Sequence, residues 1–336
     1  MKKAAIIFIT ALILCLNIGA VFADELEVYF NDPYKNSKDR TIQNMILKDI
    51  KNARKTIDLA TYNYTDTKTA EALIDAVHRG VKVRMVIDED NYNKKVVNQL
   101  RDWGVSVVSA HSNGLMHAKY IIIDKAIVIS GSANMTLASF SYDNNFMIRL
   151  ESQEAAKVFT DEFEEMYLDL IFGEKSPKTK AASAIKLKDG TTVYIRFAPE
   201  DGIDDMIESL IAAADKSVYM LAYSFASRDI AERLQAADED GMDVIVICED
   251  SKAYTDGGGQ CGPLSEAGLA VYVDGSSDAL MHEKVIILDN SVVIAGSYNF
   301  TRSADKRNDE QVLVIQSPKV AAAFLAEFDK ILEEAR

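Results

Sequence analysis

The sequence predicts an α/β protein made of two homologous halves. Each half reads as a mixed, mainly parallel sheet flanked by helices, and duplicated halves of this kind pack about a pseudo-twofold axis. Two observations carry the prediction. Apolar runs of strand length alternate with segments whose apolar residues recur every three or four positions. The whole alternation also occurs twice at a fixed offset.

The first copy reads Lys55-Thr-Ile-Asp-Leu-Ala-Thr-Tyr-Asn-Tyr64, and the second reads Lys216-Ser-Val-Tyr-Met-Leu-Ala-Tyr-Ser-Phe225. A helical segment follows each, Thr69–Arg79 and Asp229–Asp240, ending at Gly80 or Gly241 as a left-handed cap requires. Next come the strands Val81–Ile87 and Met242–Cys248. The offset is 161 residues to this point and 165 at the later motifs, because the second copy has an insertion near Asp256–Gly259. Thr41–Ala53, Glu154–Leu170, Asp204–Ala214 and Val320–Glu334 also carry helical spacing. The expected organisation is a leader at residues 1–23, a first half at 24–171, an exposed Lys-, Ala- and Ser-rich linker at 172–189, and a second half at 190–336.

The leader is an export signal: Lys2 and Lys3 precede an apolar run from Ala4 to Ala20, and Val21-Phe22-Ala23 provides small residues for cleavage. The expected destination is therefore secreted or periplasmic. No later run is long enough to span a bilayer, so no stable membrane insertion is expected after cleavage. Loss of the leader moves the formal net charge from -15 to -17. Such a charge disfavours tight non-specific binding of polyanions, although a local basic patch can override it. Cys248 and Cys261 remain in the mature chain. They form a disulfide or stay as two thiols, and their number does not suit a zinc site.

The chemistry concentrates in two repeated motifs. One is His117-Ala-Lys119-Tyr-Ile-Ile-Ile-Asp124 followed by Gly131-Ser132-Ala-Asn134. The other is His282-Glu-Lys284-Val-Ile-Ile-Leu-Asp289 followed by Gly296-Ser297-Tyr-Asn299. Thr136 and Thr301 lie two residues after each Asn. His and Lys two apart on a strand share one face. Gly allows close backbone approach, while Ser and Asn can donate to an anion. Together the halves supply two imidazoles, two ammonium groups and several neutral donors, a set suited to a phosphoryl centre without metal or cofactor. One imidazole can attack phosphorus and the other can serve as acid and base, with Lys119 and Lys284 on the non-bridging oxygens.

This double pattern, H-x-K-x4-D-x6-G-S-x-N, resembles the phospholipase D superfamily and its HKD motif, and the resemblance covers nearly all of the mature chain. It implies a phosphodiesterase acting through a covalent phosphohistidine, with His117 as nucleophile and His282 as general acid and base. The expected catalytic set is His117, Lys119, Asp124, His282, Lys284 and Asp289. The expected phosphate-binding set is Ser132, Asn134, Ser297 and Asn299. The family's N-x-E is Asn308-Asp-Glu310 here, so Glu310 is expected to orient a histidine, while Asn145 stands opposite it in the first copy. Which histidine Glu310 touches is open.

Of the other histidines, His111 reads as a solvated loop residue and His78 as a structural cation near a helix C-terminus. Asp124 and Asp289 also admit a scaffolding role. Tyr62, Tyr64, Tyr223 and Phe225 read equally as cleft walls or as core. Asp256–Pro263 reads as a surface insertion; it lacks a P-loop's Gly-Lys-Ser/Thr. Export and charge favour a phospholipid over nucleic acid as substrate. The alternative is an endonuclease of the same superfamily, followed by a phosphatidyl transferase. One chain supplies both motifs, so a monomer suffices.

Overall fold

The computed structural model describes residues 25–31, 33, 40–178, 184–253, 258–275 and 279–335. The expected leader lies outside the described residues, as do Asp256 and Gly257 of the insertion. The first half contains β1 (Glu25–Phe30), α1 (Thr41–Asn52), β2 (Thr56–Thr61), α2 (Thr67–His78), β3 (Lys82–Asp88), α3 (Lys95–Asp102), β4 (Ser106–Ala110), β5 (Lys119–Ile123), β6 (Ile127–Gly131), α4 (Leu137–Ser141), β7 (Phe146–Glu151) and α5 (Gln153–Glu164). The second contains β8 (Ile185–Lys186), β9 (Thr192–Ala198), α6 (Ile203–Ala212), β10 (Ser217–Ala222), α7 (Arg228–Glu239), β11 (Asp243–Cys248), α8 (Asp250–Ala253), α9 (Cys261–Glu266), β12 (Ala270–Val273), β13 (Lys284–Leu288), β14 (Val292–Gly296), α10 (Arg302–Lys306), β15 (Glu310–Gln316) and α11 (Pro318–Ala335).

The sheets run β1-β7-β6-β5-β2-β3-β4 and β12-β11-β10-β13-β14-β15-β9-β8. Both are mixed, but antiparallel pairs predominate, which corrects the mainly parallel expectation. Only β2–β3–β4 and β10–β11–β12 are joined in parallel. The reason lies inside the repeated motif. Its apolar run and the following Gly-Ser segment are two arms of one hairpin, β5–β6 or β13–β14. Asp124 and Lys125, like Asp289 and Asn290, adopt positive φ near 50–55°. These two positions are the centre of each tight turn, closed by the N–H of Ala126 on the Ile123 carbonyl and that of Ser291 on the Leu288 carbonyl.

Helix boundaries follow local chemistry. Asp66 and Ser227 cap α2 and α7 through their side chains, and the repeated Thr136 and Thr301 do the same for α4 and α10. Gly80 and Gly241 take φ of +87° and +85° just past α2 and α7, as expected.

Three apolar clusters arrange the layers. One joins α1, α2 and α3 to the outer face of the first sheet, and another joins α6, α7 and α9 to the outer face of the second. The third combines strands of both sheets with α5 and α11 between them. In that middle layer each helix reaches the opposite half. Phe324 of α11 meets Phe30 and Phe146, with ring centroids 5.1 and 5.2 Å away. Phe159 of α5 meets Phe197 at 5.3 Å. The connection between halves is only partly the exposed linker expected. Phe172, Ile185 and Leu187 are buried, and β8 extends the second sheet.

Candidate active site

The two motifs meet where the halves abut, and each half anchors the other's histidine. The N–H of His117 donates to the carbonyl of Asp309, and that of His282 donates to the carbonyl of Asn144. Around these bonds, Met116 bridges to Asp309 and Met281 to Asn144. Gln311 stitches the joint further. Its Oε1 accepts from the N–H of Lys119 at 2.9 Å, and its Nε2 donates to the Gly131 carbonyl at 3.0 Å. Asp88 and Glu249 occupy equivalent strand ends and accept the N–H groups of Met116 and Met281. Both acids were missed in the sequence, although the 161-residue offset pairs them.

The side chains cross over as well. Nδ1 of His117 lies 2.8 Å from Oε2 of Glu310, and Nδ1 of His282 lies 3.0 Å from Oδ1 of Asn145. Glu310 therefore touches the first-half histidine. It also accepts from Ser297 Oγ at 2.5 Å and from Asn308 Nδ2 at 3.0 Å. Ser132 Oγ donates to Asn145 Oδ1 at 2.9 Å. With both Nδ1–H groups so engaged, each Nε2 is left for chemistry. Burial alone would raise Glu310. The His117 imidazole and the Lys119 ammonium outweigh burial and hold its carboxylate below the usual range.

Four sequence-based assignments change here, in two pairs. Ser132 and Ser297 are fully buried and hold the orienting Asn145 and Glu310, so they do not reach phosphate. Asp124 and Asp289 lie at the opposite ends of β5 and β13, about 16 Å from the lysines by strand rise. Asp124 accepts the N–H groups of Arg54, Lys55 and Thr56, and Asp289 accepts those of Asp215, Lys216 and Ser217. These aspartates tie each hairpin to the start of the neighbouring antiparallel strand, β2 or β10, and are not catalytic.

Asn134 and Asn299 do face the site. They line a cavity of about 440 Å³ with His117, His282, Tyr62, Tyr223, Asp143 and Lys252. Their Oδ1 atoms are buried without protein partners. Lys119 and Lys284 are fully buried beneath the histidines, and each Nζ donates to the carbonyl of its own motif's histidine, at 2.6 and 2.8 Å. Lys284 Nζ also sits 4.3 Å from the Tyr223 ring centroid, while Lys119 Nζ is 5.7 Å from that of Tyr62. Burial pushes Lys119 down to about 7, opposed in part by Glu310 and Asp88. Burial, together with Lys119, drives Lys284 well below the ordinary ammonium value. Burial lowers His117, opposed by Glu310, and drives His282 much further down, reinforced by both lysines. The site is thus a desolvated cluster of two imidazoles and two amines, with the Glu310 carboxylate on His117 and Asp143 on the cavity wall, and an entering anion would favour the charged forms that burial suppresses.

The remaining candidates separate cleanly. Tyr62 and Tyr223 are cleft walls, with ring centroids 5.3 and 4.6 Å from His117 and His282. Tyr64 and Phe225 are core. His111 is exposed and pairs with Glu89 at 2.5 Å, away from the catalytic cavity. His78 ends α2 and packs on Trp103. Cys248 and Cys261 are joined as a disulfide.

Residues 46–167 and 207–332 each match the family described as "Cardiolipin synthase, PLD-like domain". The chain belongs to this phospholipase D-like family, and its class is phosphodiesterase. A phospholipase D of Rickettsia conorii is 32% identical over 157 residues, covering 45% of this chain and 78% of that protein. A mitochondrial cardiolipin hydrolase of Chlamydomonas reinhardtii is 31% identical over 121 residues, and this chain spans 53% of its length. The phosphatidylserine synthase structure from Haemophilus influenzae has a TM-score of 0.69 with 17% identity, covering 92% of this chain and 86% of that one. That last likeness is one of fold.

Proposed function

We propose that this protein is an exported, metal-independent phospholipid phosphodiesterase working through a phosphohistidine on His117. The observation that carries the reading is the unequal support of the two imidazoles. Nε2 of His117 attacks phosphorus as the bond to the leaving alkoxide breaks. The product, an Nε2-phosphoimidazolium still holding Nδ1–H, is cationic at the ring, and the Glu310 carboxylate at 2.8 Å offsets that charge. Nε2–H of His282 donates its proton to the leaving oxygen. The neutral His282 then takes a proton from water, which attacks phosphorus and releases His117. Asn145 fits this exchange because it fixes the ring without holding the proton on it.

Lys119 and Lys284, with the amides of Asn134 and Asn299, are the groups for the non-bridging oxygens. The diester anion restores the charge that burial suppresses on both lysines and on His282. Among the described residues no group of three or more His, Cys, Asp or Glu side chains is placed to hold a metal ion. The Cys248–Cys261 disulfide favours an oxidising destination, in keeping with the leader. The phospholipid and cardiolipin relatives favour a lipid diester.

The test is a substrate panel in EDTA, comprising phosphatidylcholine and cardiolipin vesicles, plasmid DNA and bis-p-nitrophenyl phosphate. Lipid and small-diester turnover is expected. DNA cleavage without lipid turnover would assign the chain to the nuclease alternative, and a strict metal requirement would overturn the mechanism.

A further inference from the structure

The duplication supplies an internal reference for the walls of the catalytic cavity. By the 165-residue offset Asp143 corresponds to Asn308, and the two side chains make the same structural bond. Oδ1 of Asn308 accepts the N–H of Leu115 at 3.1 Å, and Oδ1 of Asp143 accepts that of Leu280 at 3.3 Å. Asn308 thus steadies the segment entering His117, and Asp143 the segment entering His282. A neutral amide makes that bond at 308, so the scaffold does not need the charge at 143. Burial works against that charge and raises the Asp143 pKa, opposed by the Leu280 N–H and by Lys284.

Lys252 is the second departure from symmetry. By the 161-residue offset its counterpart is Asn91, which is buried and bonds the Tyr62 hydroxyl. Lys252 instead lines the cavity. It lies three residues after Glu249, whose carboxylate holds the N–H of Met281 next to His282.

Both charged residues therefore stand on the His282 side. Other lining residues gather there too. The Ser139 carbonyl accepts from Asn145, which holds the His282 ring, and Ser224 follows Tyr223, which packs on that ring. The His117 side is walled by Tyr62 and Leu115. Among the described residues, Asp143 and Lys252 are the charged members of the lining besides the two histidines. An in-line displacement puts the attacking and leaving atoms on opposite sides of phosphorus. With His117 attacking, the leaving alcohol points toward His282 and enters the charged side. A purely anionic head group would meet Asp143 there, and a purely cationic one would meet Lys252. A zwitterion satisfies both.

We propose that this side of the cavity is a head-group subsite for a leaving alcohol that carries both an ammonium and a carboxylate, as a serine ester does. Asp143 takes the ammonium and Lys252 takes the carboxylate. The proposal rests on the phospholipid reading above, with His117 as nucleophile, and adds the class of head group.

The experiment pairs calorimetric binding with turnover. The binding ligands are O-phosphoserine, O-phosphoethanolamine, glycerol 3-phosphate and inorganic phosphate at neutral pH. The first carries both head-group charges, the second the ammonium alone, and the others neither. Asp143→Asn keeps an amide where Asn308 shows that an amide serves, so the variant should fold. It should weaken phosphoserine and phosphoethanolamine about fivefold, the scale of a partly exposed ion pair, and leave glycerol 3-phosphate unchanged or tighter. Lys252→Gln should weaken phosphoserine about fivefold more than phosphoethanolamine. In parallel, head-group release is measured from short-chain phosphatidylserine, phosphatidylethanolamine and phosphatidylglycerol. The ratios of kcat/KM within one protein cancel any general loss; they should favour phosphatidylserine in the wild type and fall in both variants. Three outcomes overturn the proposal: wild-type binding of phosphoserine no tighter than of inorganic phosphate, an equal loss for all ligands in Asp143→Asn, or a Lys252→Gln variant that treats phosphoserine and phosphoethanolamine alike in its losses. Selective binding without lipid turnover counts against the phospholipid reading alone, because binding reports the subsite directly.

Discussion

Glu310→Gln tests the inequality of the two histidines. The carboxylate takes three hydrogen bonds, from His117, Ser297 and Asn308. A glutamine keeps the shape but removes the charge, and a charge-assisted bond is about twice as strong as a neutral one, a loss of about 1–2 kcal/mol for the phosphoimidazolium. The amide must also turn one NH₂ toward a donor. Facing Asn308, it opposes an amide whose Oδ1 already accepts from Leu115. Facing His117, it reverses the ring tautomer and takes the lone pair from Nε2. Either arrangement costs about 1–2 kcal/mol more. A combined loss near 3 kcal/mol is a fall of about 100-fold in kcat/KM. The assay is steady-state turnover of bis-p-nitrophenyl phosphate, with circular dichroism to confirm the fold. The loss should fall on kcat, since the charge develops during attack. Activity within about threefold of wild type would refute the reasoning.

Other consequences follow from the same geometry. His117→Asn and His282→Asn should each lower turnover by at least about 1,000-fold, measured on the same diester. Asn145→Asp places a carboxylate on His282, raises its pKa, and should move the alkaline limb of the pH–rate profile upward by about 1–2 units. Lys119, pushed down to about 7 by burial, is charged in the empty site only below that value. Competitive inhibition by sulfate, whose charge is constant there, should weaken as pH rises through about 7 and lose this dependence in Lys119→Ala. Asp124→Ala leaves three backbone N–H groups unpaired and should lower stability by about 1–2 kcal/mol with kcat retained, read by denaturant titration.

Much of the site was legible because duplication writes the histidine, the lysine and the asparagine of the motif twice. His117 and Lys119 point to one face by strand alternation alone, and His282 and Lys284 repeat them. The pairing of Glu310 with Asn145 was visible from the offset, but the exchange across the joint was not, because a repeat alignment carries no information on which half contributes to which pocket. Ser132 and Ser297 were misassigned for a related reason. A hydroxyl beside a close-approach glycine can face the cavity or the neighbouring strand, and here β7 and β15 claim it. A Cβ on Gly131 would lie 2.3 Å from the Phe146 carbonyl, and one on Gly296 would lie 2.0 Å from that of Gln311, so those glycines admit the strands that the serines then grip. The sheets were read as mainly parallel because alternating helices suggest crossovers, whereas the Asp124 and Asp289 turns fold each motif back on itself.

The most direct measurement of the shared-site chemistry is covalent trapping. His282→Asn retains the proposed nucleophile but lacks the base that would activate water. Mixed with bis-p-nitrophenyl phosphate and digested, it should yield an acid-labile phosphoryl adduct on the peptide carrying His117, located by mass spectrometry. An adduct on the His282 peptide of the His117→Asn variant, with none on His117 in His282→Asn, would contradict it.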